Sequence, residues 1–285
     1  MNDVLRALVY DGEISLTVAD TTELVKEGVK LHNLSNSAAQ LFGRALSLAV
    51  FQGACLKEKS GEVSFSLRGD GLGGELCVSV DEPLHVRGYL QDGEKNARFS
   101  QADLLGKTGS LTVIRQDGYS RPFVGSSALV EGDIDRQFEE YYRVSEQLPT
   151  YLATDVCLSE EGQVAFAGVV CLQPLPFASQ KVLAEMPVGE KLYALLSKVQ
   201  KEGVWKAAQN QFGVLQTSVQ KQAQYRCRCS KEYLGEVLVS LGEAQMREII
   251  REDGAVRIHC HYCNKDYEFL DEDVDVLFPT GSKES

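Results

Sequence analysis

The chain has no long apolar run and carries little positive charge. No segment approaches the roughly 18 consecutive apolar residues of a transmembrane helix, and residues 1–16 lack the basic and apolar regions of a secretory signal. Acidic side chains outnumber basic ones by 41 to 29, so the formal net charge of −12 repels nucleic acids and anionic lipids. These absences predict a cytoplasmic protein that binds neither membranes nor nucleic acid.

Catalytic motifs are lacking as well. The sequence shows no Walker loop, no Ser/His/Asp set and no paired carboxylates at a spacing typical of an active site. With 44% hydrophobic residues among 285, the chain can nevertheless bury a substantial core. We therefore expect a binding protein rather than an enzyme.

The pattern of short apolar runs predicts an α+β fold. Strands on both sides of Asp11 and Gly12 form an opening hairpin, and helices follow at residues 21–31 and 35–57. Further strands are predicted at residues 63–67, 76–80, 85–90, 110–114, 123–130, 151–158 and 164–173, with a helix at 133–147. We expect an N-terminal sheet-rich domain with packed helices, a helical linker and a small C-terminal zinc-binding module.

Two prolines mark the first domain boundary, because Pro174 and Pro176 cannot donate backbone hydrogen bonds. We place the N-terminal domain at residues 1–177, the linker at 178–224 and the C-terminal module at 225–285. The last part of the linker is rich in glutamine and poor in large apolar residues, so its stability should be marginal.

The linker also contains one apolar stripe at helical spacing. Its members are Leu192, Leu195, Leu196 and Val199. Packing against the main domain explains such a stripe. The alternative is a face that can be uncovered.

Four of the eight cysteines form a compact pattern near the C-terminus. Cys227 and Cys229 form a CxC, Cys260 and Cys263 form a CxxC, and residues 230–259 separate the two pairs. In an extended CxC both side chains point the same way, and a CxxC turn brings two sulfurs together. The four thiolates suit one tetrahedral zinc ion better than copper or iron.

The residues between and beside these pairs complete the predicted module. Residues 231–241 and 243–251 are predicted as short helices, and residues 255–260 as a strand. His259 and His261 adjoin the CxxC, but four cysteines already saturate the ion, so we expect the histidines to tune rather than bind it.

The remaining thiols are predicted to be inert core residues. They are Cys55, Cys77, Cys157 and Cys171, which lie in apolar helix-like or strand-like segments.

Several functions are compatible with the four-cysteine pattern. The zinc can be purely structural, or oxidation of the closely spaced thiols can expel it and remove its contribution to folding. A thiol–disulfide oxidoreductase using Cys260 and Cys263 is another alternative, although no thioredoxin-like βαβ pattern surrounds them. A nucleic-acid-binding module is disfavoured, since residues 225–270 contain seven basic and eight acidic side chains.

The C-terminal pattern CRCSKEYL, EDGAVRIHCHYC and YEF resembles the bacterial redox-regulated 33 kDa heat-shock chaperonin family. The resemblance extends through Gly69-Asp70-Gly71, Glu131-Gly132-Asp133, Tyr142 and the segment SEQLPT at 145–150. It therefore covers nearly the whole chain. One departure is Tyr233, where the family often has arginine; this difference removes no metal ligand.

The resemblance implies an ATP-independent holdase that is inactive while reduced and zinc-bound. On oxidation, disulfides Cys227–Cys229 and Cys260–Cys263 would form, zinc would leave, and the linker would unfold. The implied partners are unfolding client proteins, with the stripe at Leu192, Leu195, Leu196 and Val199 as a candidate client-binding surface. Formation of a homodimer on activation stays an open alternative.

Overall fold

The structure is a computed structural model that describes residues 2–34, 36–93 and 99–279. The chain forms two compact units, Met1–Arg226 and Cys227–Ser285. Both combine helices and strands, which confirms the predicted α+β class. None of the described helices has the length and apolar character needed to cross a membrane.

The first unit contains eleven described strands and seven described α-helices. The strands are β1 (Asp3–Val9), β2 (Ile14–Asp20), β3 (Glu62–Gly69), β4 (Glu75–Asp81), β5 (His85–Leu90), β6 (Gly109–Gln116), β7 (Phe123–Ala128), β8 (Tyr151–Leu158), β9 (Val164–Pro174), β10 (Gln216–Gln222) and β11 (Gln224–Tyr225). The helices are α1 (Thr22–Leu31), α2 (Asn36–Ala54), α3 (Gln101–Leu105), α4 (Ile134–Tyr141), α5 (Gln180–Glu185), α6 (Glu190–Glu202) and α7 (Val204–Phe212).

Two sheets organise this unit. The five-stranded sheet A has the order β10-β1-β2-β9-β8 and is antiparallel throughout. The six-stranded sheet B has the order β11-β5-β4-β3-β6-β7, in which only the β11–β5 pair is parallel. The predicted opening hairpin is confirmed, since β1 and β2 pair from Val4 with Ala19 to Val9 with Ile14.

Helix α2 forms the centre of the main core. Its buried residues pack with apolar side chains from sheet B and from one face of sheet A, in the first core cluster. Leu41, Phe42 and Leu48 on this helix are all fully buried. The predicted start of the helix at Ser35 lies outside the described residues.

Helices α5, α6 and α7 cover the other face of sheet A. Leu16, Val18 and Leu172 of the sheet pack there with apolar residues of the three helices, in the second core cluster. Strand β2 is therefore buried on both faces, which explains why six of its seven residues are buried instead of alternating with exposed ones. We call α5, α6 and α7 the covering helices.

The segment after the covering helices differs from the expected helical linker. Residues Gln216–Gln222 form a strand, β10, which pairs with β1 at the edge of sheet A. Nearly all of its side chains are exposed, so the strand lacks the apolar alternation by which strands are identified in a sequence. The domain limits at 177 and 224 stay a prediction.

Tyr225 connects the end of this segment to the first core cluster. It is 8% exposed, its hydroxyl donates to the Gly88 carbonyl at 2.9 Å, and His32 Nε2 lies 3.0 Å from the same hydroxyl. Residue 224 pairs with His85 and Tyr225 with Val86. Tyr225 thus anchors the chain to the core of the first unit just before the second unit begins.

A buried polar network lies between α2, α4 and β8. The Arg44 guanidinium is within 2.7 Å of Asp135 and 2.6 Å of Asp133, and it also donates to Thr154 Oγ1 at 2.8 Å. Asp135 accepts a further hydrogen bond from the Tyr193 hydroxyl of α6 at 3.1 Å. Burial opposes the Arg44 charge, but the two carboxylates outweigh it and raise the pKa of Arg44.

Replacing Arg44 with methionine is expected to lower the free energy of unfolding by about 3–5 kcal/mol, because it leaves the buried Asp135 carboxylate without its cation. Urea denaturation followed by circular dichroism measures the change. The matched control is Arg68→Met, which removes a largely exposed guanidinium paired with Glu75 and should cost far less, because water and salt screen an exposed ion pair. Equal losses for the two variants would contradict the assigned role of Arg44.

Over its described residues, 227–279, the second unit is a small module of three helices and one hairpin. Its elements are α8 (Lys231–Val239), α9 (Glu243–Asp253), β12 (Val256–Cys260), β13 (Lys265–Phe269) and α10 (Asp271–Leu277). Six buried residues form its core: Leu238, Met246, Ile250, Val256, Phe269 and Val274. Such a core is small, so the module needs a further source of stability.

Candidate metal centre

Local structure positions each of the four C-terminal cysteines. Cys227 and Cys229 lie just before α8, whose first turn is capped by Ser230 Oγ accepting from the Tyr233 N–H at 3.1 Å. Cys260 ends β12, and Cys263 lies in the turn to β13, where the Asn264 N–H donates to the Cys260 carbonyl at 2.8 Å. The sequence thus places one pair before a helix and the other in a hairpin turn.

The four sulfurs form one cluster. All of them lie within 4.8 Å of one another, with Sγ distances of 3.3 Å from Cys227 to Cys229, 3.8 Å from Cys227 to Cys260 and 3.0 Å from Cys229 to Cys263. An ion at about 2.3 Å from four tetrahedral sulfurs separates those sulfurs by about 3.8 Å. The three observed distances of 3.0–3.8 Å reach this value at their upper end, and the residues present fit a four-coordinate metal ion.

Tyr267 belongs to the same cluster, although the sequence did not suggest it. Its hydroxyl lies 3.2 Å from Cys229 Sγ. Tyr267 pairs with Ile258 in the hairpin, two residues before Cys260, so it shares a face with that cysteine. A second strand predicted after the CxxC would have revealed this contact.

The sulfurs differ in acidity. Burial raises the pKa of Cys229, but contacts with Cys263, Tyr267 and Cys227 outweigh it and lower that pKa to about 7. Burial raises the pKa of Cys227 to about 11, and it also raises the pKa of Cys263. Crowded thiolates repel one another, so a cation is needed to hold all four deprotonated.

The neighbouring histidines do not belong to this cluster of cysteines within the described residues. His259 Nδ1 lies 2.8 Å from Asp266 Oδ1, on the exposed side of the hairpin. The His259 and His261 rings lie 5.1 Å apart.

The other four cysteines lie in the first unit. Burial raises the pKa of Cys77 to about 11 and that of Cys157 to about 11, and it also raises the pKa of Cys55 and Cys171. Their thiols are therefore mainly protonated and poorly nucleophilic at neutral pH. This contrasts with Cys229 in the cluster.

The apolar stripe of the predicted linker lies on α6, among the covering helices. Leu192, Leu195, Leu196 and Val199 are each 1% exposed and pack in the second core cluster. In this conformation the stripe is buried and cannot contact a partner.

Comparison with known proteins extends these observations to the whole chain. A 33 kDa chaperonin of Clostridium botulinum (strain 657 / Type Ba4) is 30% identical over 288 residues, covering 96% of both chains, and one from Bacillus cytotoxicus is 29% identical, covering 98% of this chain and 100% of the relative. The crystal structure of a 33 kDa chaperonin from Thermotoga maritima matches the fold with a TM-score of 0.79 at 24% identity, covering 97% of each chain. The family model described as Hsp33 protein matches residues 2–270, and the chain therefore belongs to the Hsp33 family.

Proposed function

We propose that this protein is a cytoplasmic, ATP-independent chaperone, a holdase that binds unfolding proteins under oxidative stress. The observation that carries the proposal is the cluster of four cysteine sulfurs within 4.8 Å of one another. In the reduced state Cys227, Cys229, Cys260 and Cys263 would hold one zinc ion. Membership in a family whose relatives are named chaperonins supports a chaperone rather than an enzyme.

Oxidation of the cluster would release the zinc ion. Two equivalents of peroxide take four electrons from the four thiolates, forming two disulfides and, with four protons, four waters. The proposed pairs are Cys227–Cys229 and Cys260–Cys263. Distance alone does not select them, because Cys229 and Cys263 are also only 3.0 Å apart. The short chain segment within each pair supports this pairing, because only cysteines that are near in sequence stay close to each other once zinc no longer links the two pairs.

Zinc loss would destabilise the second unit. Its core contains six buried apolar residues, and structural zinc typically contributes about 10–16 kcal/mol of binding free energy to such a fold. In our proposal the covering helices and the strand that follows them have marginal stability, and they unfold once the zinc module is lost.

Unfolding of the covering helices would open a large apolar surface. It contains the stripe at Leu192, Leu195, Leu196 and Val199 and the face of sheet A that includes Leu16, Val18 and Leu172. Exposed contiguous apolar surface is what binds unfolded chains without a sequence requirement. These residues are our candidate client-binding surface.

A thiol–disulfide oxidoreductase that uses Cys260 and Cys263 is the alternative. A catalytic thiol must be reached by its substrate, whereas Cys263 is only 6% exposed and its pKa is raised by burial. A purely structural zinc site is the second alternative, and the oxidation experiment distinguishes it.

Treating the reduced, zinc-loaded protein with peroxide under mildly unfolding conditions is expected to release one zinc ion per chain and consume four free thiols. Suppression of aggregation of a heat-unfolded client should rise in parallel. A zinc-binding dye, thiol titration and light scattering measure the three quantities, and gel filtration of the oxidised sample tests whether a homodimer forms.

Full oxidation and zinc release without any gain in aggregation suppression would exclude the proposed chaperone switch. A Cys77→Ser variant serves as the control, because that thiol lies in sheet B and its loss should leave all three readouts unchanged. Catalytic reduction of a disulfide substrate by the reduced protein, with an added dithiol regenerating Cys260 and Cys263, would instead favour the oxidoreductase.

A further inference from the structure

The hydroxyl of Tyr267 lies against one sulfur of the cysteine cluster. That sulfur, Cys229 Sγ, is 3.2 Å from the hydroxyl oxygen. It also lies 3.3 Å from Cys227 Sγ and 3.0 Å from Cys263 Sγ, so Cys229 is a member of both of these short sulfur pairs. Whichever partner Cys229 takes on oxidation, the reactivity of its sulfur affects how fast that disulfide forms.

Geometry fixes the direction of this hydrogen bond. A tyrosine hydroxyl is protonated at neutral pH, whereas a metal-bound cysteine is a thiolate and has no proton to donate. The other acceptor near the hydroxyl is the Cys229 carbonyl oxygen at 3.4 Å, which is beyond the usual range of about 2.5–3.0 Å for an O–H···O hydrogen bond. Tyr267 is therefore the donor and the Cys229 thiolate the acceptor.

The hairpin holds the phenol ring in place independently of the sulfur. Tyr267 of β13 pairs with Ile258 of β12, and both side chains pack against the core of the second unit. Phe269, two residues further along β13, is 2% exposed in that core. Alternate residues of a strand share a face, so the burial of Phe269 also fixes the face that presents Tyr267.

A hydrogen bond to a thiolate slows its reaction with peroxide. In the first step a lone pair of the Cys229 sulfur attacks one peroxide oxygen; an S–O bond forms, the O–O bond breaks and hydroxide leaves. A second thiolate then attacks the Cys229 sulfenic acid; an S–S bond forms, a second hydroxide leaves, and two protons convert both hydroxides to water. The hydrogen bond stabilises the lone pair that must attack and weakens as its electrons move to oxygen, so it raises the barrier of the first step.

We propose that Tyr267 protects the reduced cluster from oxidation by donating a hydrogen bond to the Cys229 thiolate. This inference concerns the regulation of the metal centre, and it rests on the proposed function in that the cluster holds zinc while reduced. Tyr267 acts only through Cys229, so it is a positioning residue and not a metal ligand. Neighbours that hydrogen-bond to a ligand atom tune the chemistry of a metal site in this way.

Tyr267→Phe, which removes only the hydroxyl, tests this proposal in the reduced, zinc-loaded, full-length protein at a temperature at which it is folded. Peroxide is added, and alkylation followed by mass spectrometry measures the loss of each thiol with time. We expect the Cys229 thiol to disappear about tenfold faster than in the unaltered protein, because a hydrogen bond to a charged acceptor is lost. The matched control is Tyr233→Phe, which alters an exposed tyrosine of the same unit and should leave this rate unchanged.

A spectroscopic measurement distinguishes loss of the hydrogen bond from a loosened module. With Co²⁺ in place of zinc, the thiolate-to-metal charge-transfer absorption should move to longer wavelength in Tyr267→Phe, because the hydrogen bond lowers the energy of the sulfur lone pairs. The ligand-field bands of tetrahedral cobalt and the circular dichroism spectrum should stay the same. An unchanged oxidation rate of Cys229, or a faster rate without the absorption shift, would overturn the proposal.

The result is independent of the aggregation assay. Oxidation that depends on Tyr267, without any gain in aggregation suppression, would exclude the chaperone switch and keep this role of Tyr267. An oxidation rate that does not depend on Tyr267, together with a normal gain in suppression, would exclude this role and keep the switch.

Discussion

Replacing Leu195 with aspartate is expected to make the reduced, zinc-bound protein suppress client aggregation without any oxidant. Leu195 is 1% exposed and packs in the cluster between α6 and sheet A. The substitution removes about 2 kcal/mol of apolar burial and places a carboxylate where it has no partner, which costs several kcal/mol more. The covering helices should then leave the sheet. Light scattering of a heat-unfolded client, with a reductant present, measures the gain.

The matched control is Ala194→Asp, which introduces the same charge one residue earlier on the exposed side of α6. It should stay as inactive as the unaltered reduced protein. Limited proteolysis should cut residues 178–212 faster in Leu195→Asp but not in the control. A Leu195→Asp protein that is folded, cleaved rapidly there and still inactive would show that the covered surface does not bind clients.

Replacing Cys263 with serine is expected to abolish zinc binding and unfold the second unit, while the first core cluster keeps its structure. The cluster loses one of four ligands, and six buried residues are too few to hold the module on their own. Hydrogen exchange followed by mass spectrometry should show lost protection across residues 227–279. Protection in β3 and β4 should remain.

Zinc content should fall from one ion per chain to a small fraction in Cys263→Ser, and it should be unchanged in Cys77→Ser. Adding a zinc chelator to the unaltered protein should reproduce the exchange pattern of Cys263→Ser. Retained protection across residues 227–279 after complete zinc removal would show that zinc does not stabilise this unit.

Features that depend on a strong local sequence pattern were predictable from the sequence. The hairpin of β1 and β2 has a turn at Asp11 and Gly12, both with positive φ, and the spacing of the cysteine pairs is typical of a zinc site. The stripe on α6 was visible as a helical repeat, and the structure buries all four of its members.

Other features depend on partners that are distant in sequence. Strand β10 exists because β1 offers it an edge, and its exposed glutamines carry no strand signal of their own. Tyr267 approaches Cys229 only because a second hairpin strand forms, and the π-helical turn at Tyr142–Glu146 looked like the last part of an ordinary helix. Periodicity detects which face of an element is apolar, but not what covers it.

The attachment of Tyr225 to Gly88 and His32 has a kinetic consequence. The covering helices lie between two points that belong to the first core cluster, Cys171 before them and Tyr225 after them. If they leave sheet A, they remain a loop with both ends held, so their return is a unimolecular closure whose entropy cost rises only slowly with loop length. The covering helices should therefore leave sheet A and return to it many times without diffusing away from the protein. The rate of their return should be independent of protein concentration.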